Sequence, residues 1–208
     1  MNDASRSNGS HEFRLEGSPT RGLDPTHVDR PRAIAAATEL LESLGADLSR
    51  GSLVQTPERM VDSYIEQLTP HPFRATTFPN DGRYDELVVA RDITFHSLCE
   101  HHLLPFVGVA HVAYLPGERI VGLSKLARVV GYYSRALQVQ ERLTTQVADW
   151  LERELEPRGV GVVLEAEHMC MTLRGVQKPG TKTVTSALRG LVRDDPRTRQ
   201  EFLTLTHS

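Results

Sequence analysis

The side chains of this chain that could bind a metal or move a proton gather in two short segments. One is CEHH at residues 99–102, and the other is HMC at residues 168–170. Zinc prefers thiolate and imidazole ligands in proteins, and a catalytic zinc site keeps one coordination position open for water. If folding joins the two segments, Cys99, His102 and Cys170 would form a Cys/His/Cys zinc site.

The same residues have a plainer interpretation. Free cysteines are among the most buried side chains, so Cys99 and Cys170 could be small core residues. The metal interpretation gains support from His101 and His168, which the ligand set leaves unused, because spare imidazoles beside a metal are typical of a catalytic centre. Glu100 is also a candidate general base, but the sequence does not give its direction, and it stays outside the predicted catalytic set.

Cationic side chains that could hold a phosphate chain lie in other parts of the sequence. Lys125 and Arg128 stand three positions apart, on one face of a predicted helix start whose free amide groups attract anions. Arg174 follows the second reactive segment. The ordinary alternative is a solvated helix start and a strand-end arginine. Segment 175–183 (GVQKPGTKT) misses the phosphate-binding loop motif by one residue and precedes a strand, so we reject that motif.

A carboxylate that could recognise guanine opens another predicted helix. Glu141 follows Gln140, and a carboxylate can accept two parallel hydrogen bonds from the N1–H and amino groups of guanine. Adenine offers no such pair. The commoner explanation is a helix-start glutamate that the helix dipole favours, and both remain open at this point.

The hydrophobic pattern predicts an α+β domain that would position these residues. Period-two alternation over 160–173 would place His168, Cys170 and Arg174 on one face of a strand. The order of elements and the hairpins favour an antiparallel sheet. We expect helices at 31–44, 56–69, 124–136, 139–155 and 195–203, strands at 87–95, 106–114, 160–173 and 183–188, and a loop at 70–83.

The domain organisation follows from the same pattern. Residues 1–28 are polar without an apolar period, which predicts a disordered tail. The remaining residues, 29–208, form one predicted domain with a helical part at 31–70, a core at 85–190 and a terminal helix at 195–203.

Composition excludes several classes of protein. The net charge of −3 argues against general attraction to nucleic acid. No run approaches the roughly 18 apolar residues that span a bilayer, and no signal-peptide core is present. We therefore expect a cytoplasmic protein with no membrane or nucleic-acid partner.

Several segments together resemble GTP cyclohydrolase I of the zinc-dependent type. The likeness covers roughly residues 32–206 and omits the tail. The matching segments are SLCEHHLLPFVG (97–108), VGLSKLARVV (121–130), LQVQERLT (137–144), EAEHMCMTLRGVQKPGTKTVTSALRG (165–190) and QEFLTL (200–205).

The resemblance implies a fold and an assembly. The family fold is the tunnelling fold (T-fold), an antiparallel four-stranded sheet with two helices packed on one face, here preceded by N-terminal helices. It also implies a toroidal homodecamer with sites between subunits, in which open sheet edges pair with neighbouring subunits.

The resemblance also implies a division of roles among the candidate residues. A Zn²⁺ ion would be held by Cys99, His102 and Cys170, and GTP would be the substrate. The implied catalytic residues are His101, His168 and Ser124; Glu141 with Gln140 would anchor guanine; and Lys125, Arg128 and Arg174, with Ser124, would meet the ribose and triphosphate.

The implied activity is hydrolysis and rearrangement of GTP to 7,8-dihydroneopterin triphosphate with release of formate, using a zinc-activated water. This is the first step of pterin and folate biosynthesis. Two alternatives are a zinc-stapled T-fold protein without this activity and a cysteine-nucleophile enzyme that acts on a related purine or pterin.

Overall fold

The computed structural model describes residues 11–15 and 22–207. Two helices, α1 (Arg30–Ser43) and α2 (Thr56–Leu68), open the domain as predicted. Asp29 caps α1, since its carboxylate accepts a hydrogen bond from the Arg32 backbone N–H at 3.1 Å. None of the helices within residues 22–207 is long and apolar enough to cross a membrane.

The main sheet confirms the predicted four antiparallel strands and adds a short fifth one. Its strands are β3 (Val88–Cys99), β4 (Pro105–Leu115), β6 (Leu137–Gln138), β7 (Gly159–His168) and β8 (Lys182–Arg189). Their order in the sheet is β6-β3-β4-β7-β8, and the two-residue strand β6 pairs with β3 in parallel, so the sheet is mixed.

Two helices, α3 (Ser124–Ser134) and α4 (Gln140–Leu155), pack on one face of this sheet. Their apolar stripes meet the inward-facing residues of the strands, and Trp150 is fully buried there. The buried residues of α3 and α4 recur at the helical spacing of apolar residues that the sequence shows. The predicted core of a sheet with two helices on one face is confirmed.

The other face of the sheet is partly covered by the C-terminal helices, α6 (Gly190–Asp194) and α7 (Pro196–His207). The Phe202 ring sits against Gly161 of β7, where an added Cβ would lie 2.8 Å from the ring. Glycine is therefore required for this contact. The sequence prediction found α7 but ended it too early, and it missed α6.

A second sheet corrects two predictions about loops and tails. It contains β1 (His11–Leu15), β2 (Phe73–Pro79) and β5 (Arg119–Val121) in the order β1-β2-β5. The prediction of a loop at 70–83 was wrong, because β2 pairs with β1 on one side and with β5 on the other. The disordered tail at 1–28 was wrong where β1 pairs with β2; its residues 1–10 and 16–21 lie outside the described residues.

The predicted strand at 160–173 also needs correction. It ends at His168, and Met169–Thr172 form a short helix, α5. Pairing with β4 ends at Phe106, and pairing with β8 ends at Glu167 opposite Lys182, so later residues have no strand partner. They form local helical hydrogen bonds instead. The argument that placed His168, Cys170 and Arg174 on one strand face was therefore wrong.

Candidate metal centre and active site

The first reactive segment forms the tight connection between β3 and β4. The Cys99 carbonyl accepts hydrogen bonds from the backbone N–H groups of His102 (3.2 Å) and Leu103 (2.9 Å). Leu103 takes a left-handed backbone conformation with φ of 55°, which completes the turn. The turn brings Nδ1 of His101 and Nδ1 of His102 each to 3.8 Å from the Cys99 sulfur.

The structure brings the predicted ligand set together. The ligand atoms of Cys99, His102 and Cys170 all lie within 4.8 Å of one another. A zinc ion with Zn–S bonds of about 2.3 Å and Zn–N bonds of about 2.0 Å separates adjacent tetrahedral ligand atoms by roughly 3.5–3.8 Å. The Cys99 sulfur lies 3.8 Å from His102 Nδ1. The spacing and the donor set therefore fit zinc with three protein ligands.

Cys170 reaches this group from helix α5, which Glu167 holds at the end of β7. The Glu167 carboxylate accepts hydrogen bonds from the Gly180 backbone N–H and the Thr172 hydroxyl, both at 2.8 Å. These two bonds lower the pKa of Glu167, the backbone bond most strongly. The carboxylate thus ties the segment that carries Cys170 to the strand that carries His168.

His168 is fixed from two sides beside the ligand set. Its ring stacks on Phe106 with centroids 4.6 Å apart and planes 5° apart. Its Nε2 lies 2.8 Å from Oε1 of Gln140. Burial lowers the pKa of His168, and the charge of Glu141 partly opposes this. Phe106 was missed from sequence, because only the pairing of β4 with β7 places it under the imidazole.

Gln140 is buried, and its amide group has fixed partners. Its Nε2 donates to the backbone carbonyls of Thr183 (2.9 Å) and Leu164 (3.1 Å). Oε1 must therefore be the atom that faces His168, and His168 Nε2 is the donor in that contact. The other ring nitrogen, Nδ1, remains for other partners. The role predicted for Gln140 as a guanine contact stays a prediction.

Most of the candidate residues line one cavity of about 220 Å³. The ligand set, His101, His168 and Glu141 all line it, and Glu141 stands at the start of α4. Arg174 is also nearby, since its Nη1 donates to His102 Nε2 at 3.0 Å. The potential metal ligands and the Glu141 carboxylate therefore line the same cavity.

Three predicted substrate residues lie elsewhere in the chain. Ser124, Lys125 and Arg128 occupy the first turns of α3, whereas the last residue of that helix, Ser134, accepts a hydrogen bond from Ser97 of β3 at 2.6 Å. Ten residues of helix separate the two ends by about 15 Å. Arg128 lines a different cavity of about 300 Å³. None of the three lines the cavity that contains the ligand set.

Arg142 is a further residue that sequence reasoning missed. It forms an ion pair with Glu100, which lies between two of the reactive residues. The partners are far apart in the sequence, so no local spacing signals the contact. Only the fold joins them.

Comparison with known proteins identifies the family. The family model described as GTP cyclohydrolase I matches residues 33–207, most of the chain. This chain belongs to the GTP cyclohydrolase I family. Its likeness to members of the family extends over nearly its whole length, and the group of Cys99, His102 and Cys170 is consistent with the zinc site of GTP cyclohydrolase I.

Curated relatives from bacteria and mammals show the same family likeness. The chain is 50% identical over 200 residues to GTP cyclohydrolase 1 of Thermobifida fusca (strain YX), covering 94% of this chain and 96% of the relative. It is 47% identical over 192 residues to the Rattus norvegicus protein (90% and 80% covered). It is 46% identical over 197 residues to the Homo sapiens protein (93% and 79% covered).

Among solved structures, the archaeosine synthase QueF-Like in the apo form is similar with a TM-score of 0.42. The match has 16% sequence identity and covers 50% of this chain and 93% of that chain.

Removing one ligand should remove the metal. We expect Cys170→Ser and His102→Ala each to lose bound zinc, because two remaining protein ligands hold the ion poorly. Elemental analysis of the purified variants measures this loss. His96→Ala is the matched control, since His96 is an exposed histidine of β3 outside the ligand group. Full zinc occupancy in Cys170→Ser would contradict the ligand set.

Proposed function

We propose that this chain converts GTP to 7,8-dihydroneopterin triphosphate and formate, the first step of pterin and folate biosynthesis. One observation carries the proposal. The Cys/His/Cys group, two histidines outside it and the Glu141 carboxylate line one cavity. Hydrolysis of the imidazole ring of a guanine base needs these three functions together: a metal, proton-transfer groups and a base-binding carboxylate.

Glu141 would orient the guanine base in this cavity. Its carboxylate accepts the N1–H and the exocyclic amino group side by side, which selects guanine over adenine. This contact between Glu141 and guanine also positions C8, the ring carbon to be attacked, next to the metal centre. The Gln140 amide is hydrogen-bonded to protein groups, and it supports the site by fixing the position of His168.

His168 moves the proton that activates the base. With Nε2–H donating to Gln140, the doubly protonated His168 gives its Nδ1 proton to N7 of guanine and returns to the neutral form, which makes C8 electrophilic. When bound, zinc lowers the pKa of a coordinated water toward about 7 and so provides the nucleophile at neutral pH. His101, at the mouth of the same cavity, serves the acid–base steps of ring opening, and a second hydrolysis releases C8 as formate.

Arg174 is placed to exchange a histidine partner for phosphate. His102 Nε2 accepts a hydrogen bond from Arg174, whereas its Nδ1 faces the Cys99 sulfur. An imidazole that binds a cation through Nδ1 keeps its proton on Nε2 and cannot accept from a guanidinium. With a metal on Nδ1 of His102, Arg174 would lose this partner, and its planar fork suits the triphosphate.

The remaining substrate residues would come from a second copy of the chain. Ser124, Lys125 and Arg128 present two cations and a hydroxyl at a helix N-terminus, a favourable place for a phosphate chain. The α3 helix places Ser124 about 15 Å along its axis from Ser134, the end that contacts β3, and none of the three residues lines the cavity of the metal ligands. We propose a homodecamer, as the family resemblance implies, with each site between subunits and Ser124 assisting ribose opening.

The cellular setting is proposed on the same basis. We place the protein in the cytoplasm with GTP as its small-molecule partner and without a nucleic-acid or membrane partner. The net charge of −3 argues against general attraction to nucleic acid.

The zinc-stapled module and the cysteine nucleophile predict different chemistry. A module that only uses zinc to fold needs neither His101 nor His168 in its cavity. A cysteine nucleophile would need Cys99 or Cys170 free, but both belong to the potential ligand group. The geometry therefore supports metal-assisted hydrolysis.

Incubation with GTP tests the proposed activity. We expect formate and a pterin chromophore from the zinc-loaded protein, and none after chelation. His168→Ala should retain zinc and the oligomer yet lose formate release by at least about 100-fold, because proton transfer to the base is lost. His96→Ala should behave as the wild type. Normal turnover by His168→Ala would overturn the assignment, and turnover that survives metal removal would favour a cysteine nucleophile.

Mixing inactive variants tests the shared site. Lys125→Ala and His168→Ala should each be inactive alone, but an oligomer co-assembled from equal amounts should recover about a quarter of the wild-type activity. Each site draws on two chains, and each chain supplies the intact half with a chance of about one half. Co-assembled His168→Ala and Cys170→Ser is the control and should stay inactive, since both changes damage the same half. No recovery in the first mixture would contradict sites between subunits.

A further inference from the structure

Glu100 and Arg142 form an ion pair next to the metal ligands. Glu100 Oε2 accepts hydrogen bonds from Arg142 Nη1 at 2.9 Å and from Nη2 at 2.8 Å. Their side chains are only 18% and 27% exposed, respectively, so water screens the pair less than an open surface pair. A guanidinium that gives both amino groups to one carboxylate has a defined orientation.

The pair joins two parts of the proposed site. Glu100 lies in the turn between the ligand Cys99 and His101, whereas Arg142 lies in the first turn of α4, directly after Glu141. One partner therefore moves with the metal ligands, and the other moves with the base-binding carboxylate.

Further hydrogen bonds connect the same two elements. Arg142 Nη1 also donates to the Leu137 carbonyl of β6 at 3.2 Å. The Glu100 backbone N–H donates to the Gln138 carbonyl at 3.0 Å, which extends the short parallel pairing of β3 with β6. The turn at 99–102, β6 and the start of α4 are thus each bonded to the other two, and the ion pair forms the bond between the turn and α4.

This arrangement also gives a role to a carboxylate that the sequence left unassigned. Glu100 Oε2 faces Arg142, and Oε1 lies 3.9 Å from His101 Nε2, beyond hydrogen-bond distance. A carboxylate that accepts two hydrogen bonds from a guanidinium is poorly suited to take a proton from substrate or water. Its geometry suits positioning rather than general-base catalysis.

We propose that the Glu100–Arg142 ion pair is a positioning device that sets the distance between the metal ligands and the guanine-binding start of α4. The substrate part of this inference rests on the proposed function; the metal part does not. Loss of the pair lets the 99–102 turn move relative to α4. Zinc is then released faster, and GTP binds with Glu141 displaced from the metal.

The test compares variants that weaken the pair with one that weakens a similar pair elsewhere on α4. Glu100→Gln keeps the shape and removes the charge, and Arg142→Lys keeps the charge and removes the two-pronged contact. Asp149→Asn is the matched control, since Asp149 accepts a hydrogen bond from Arg189 at 2.8 Å two helical turns further along. All three are prepared as zinc-loaded full-length protein.

The first readout is the rate at which a chelator extracts zinc, and it uses no GTP. Changes to groups that support metal ligands commonly cost 10–100-fold in metal affinity, so we expect extraction to speed up about tenfold or more in Glu100→Gln and Arg142→Lys. Asp149→Asn should match the wild type. The Glu100→Gln/Arg142→Lys double variant, prepared in the same way, should be no worse than the worse single variant, because both changes remove one interaction.

The second readout separates positioning from stability. We expect KM for GTP to rise about tenfold in Glu100→Gln while kcat falls less, since base alignment is lost and the proton-transfer groups remain. If Glu100→Gln fails to fold, the milder Arg142→Lys carries both comparisons. Wild-type extraction rate and KM in the folded variants, whatever their melting temperatures, would overturn the inference. A wild-type protein that never turns over GTP would refute the proposed function, while the extraction rates still decide the role of the pair.

Discussion

The pairing of β4 with β3 on one side and with β7 on the other is the constraint on which the site depends. Leu98 of β3 pairs with Pro105, and His168 of β7 pairs with Phe106, so the ends of the two strands that flank β4 lie next to its start. Backbone hydrogen bonds between strands thus bring together Cys99 and Cys170, which are far apart in sequence. The unfolded chain holds no such group, so metal binding stabilises the sheet that creates it.

The polar groups around the metal ligands explain why the site has a defined geometry. Gln140 satisfies two backbone carbonyls and His168, and Glu167 satisfies a backbone N–H and a hydroxyl. Gln140 is buried, so a rearrangement of its amide group would leave a donor or acceptor unpaired. The His168 ring, which contacts Gln140 and stacks on Phe106, is therefore held in one orientation.

Sequence patterns predicted the chemistry of the ligand set better than the route that assembles it. The types of Cys99, His102 and Cys170 suffice to suggest zinc, and their convergence is confirmed. Strand parity was the wrong reason for it, because β7 runs out of partners at His168. Local periodicity finds helices such as α4, but it cannot show which partner a short segment will meet. The strands β1, β2 and β5 form by pairing between segments far apart in the sequence. The ion pair of Glu100 with Arg142 also joins residues far apart in the sequence. Periodicity also placed Lys125 at a helix start without showing its distance from the metal ligands.

The coordination of the bound metal tests the central claim most directly. X-ray absorption at the zinc edge of the loaded protein should show two sulfur ligands near 2.3 Å, one imidazole nitrogen near 2.0 Å and one further light atom from water at a similar distance. That pattern corresponds to Cys99, Cys170 and His102 with one open position. A shell with no sulfur, with a single sulfur, or with four protein ligands and no water would contradict the account.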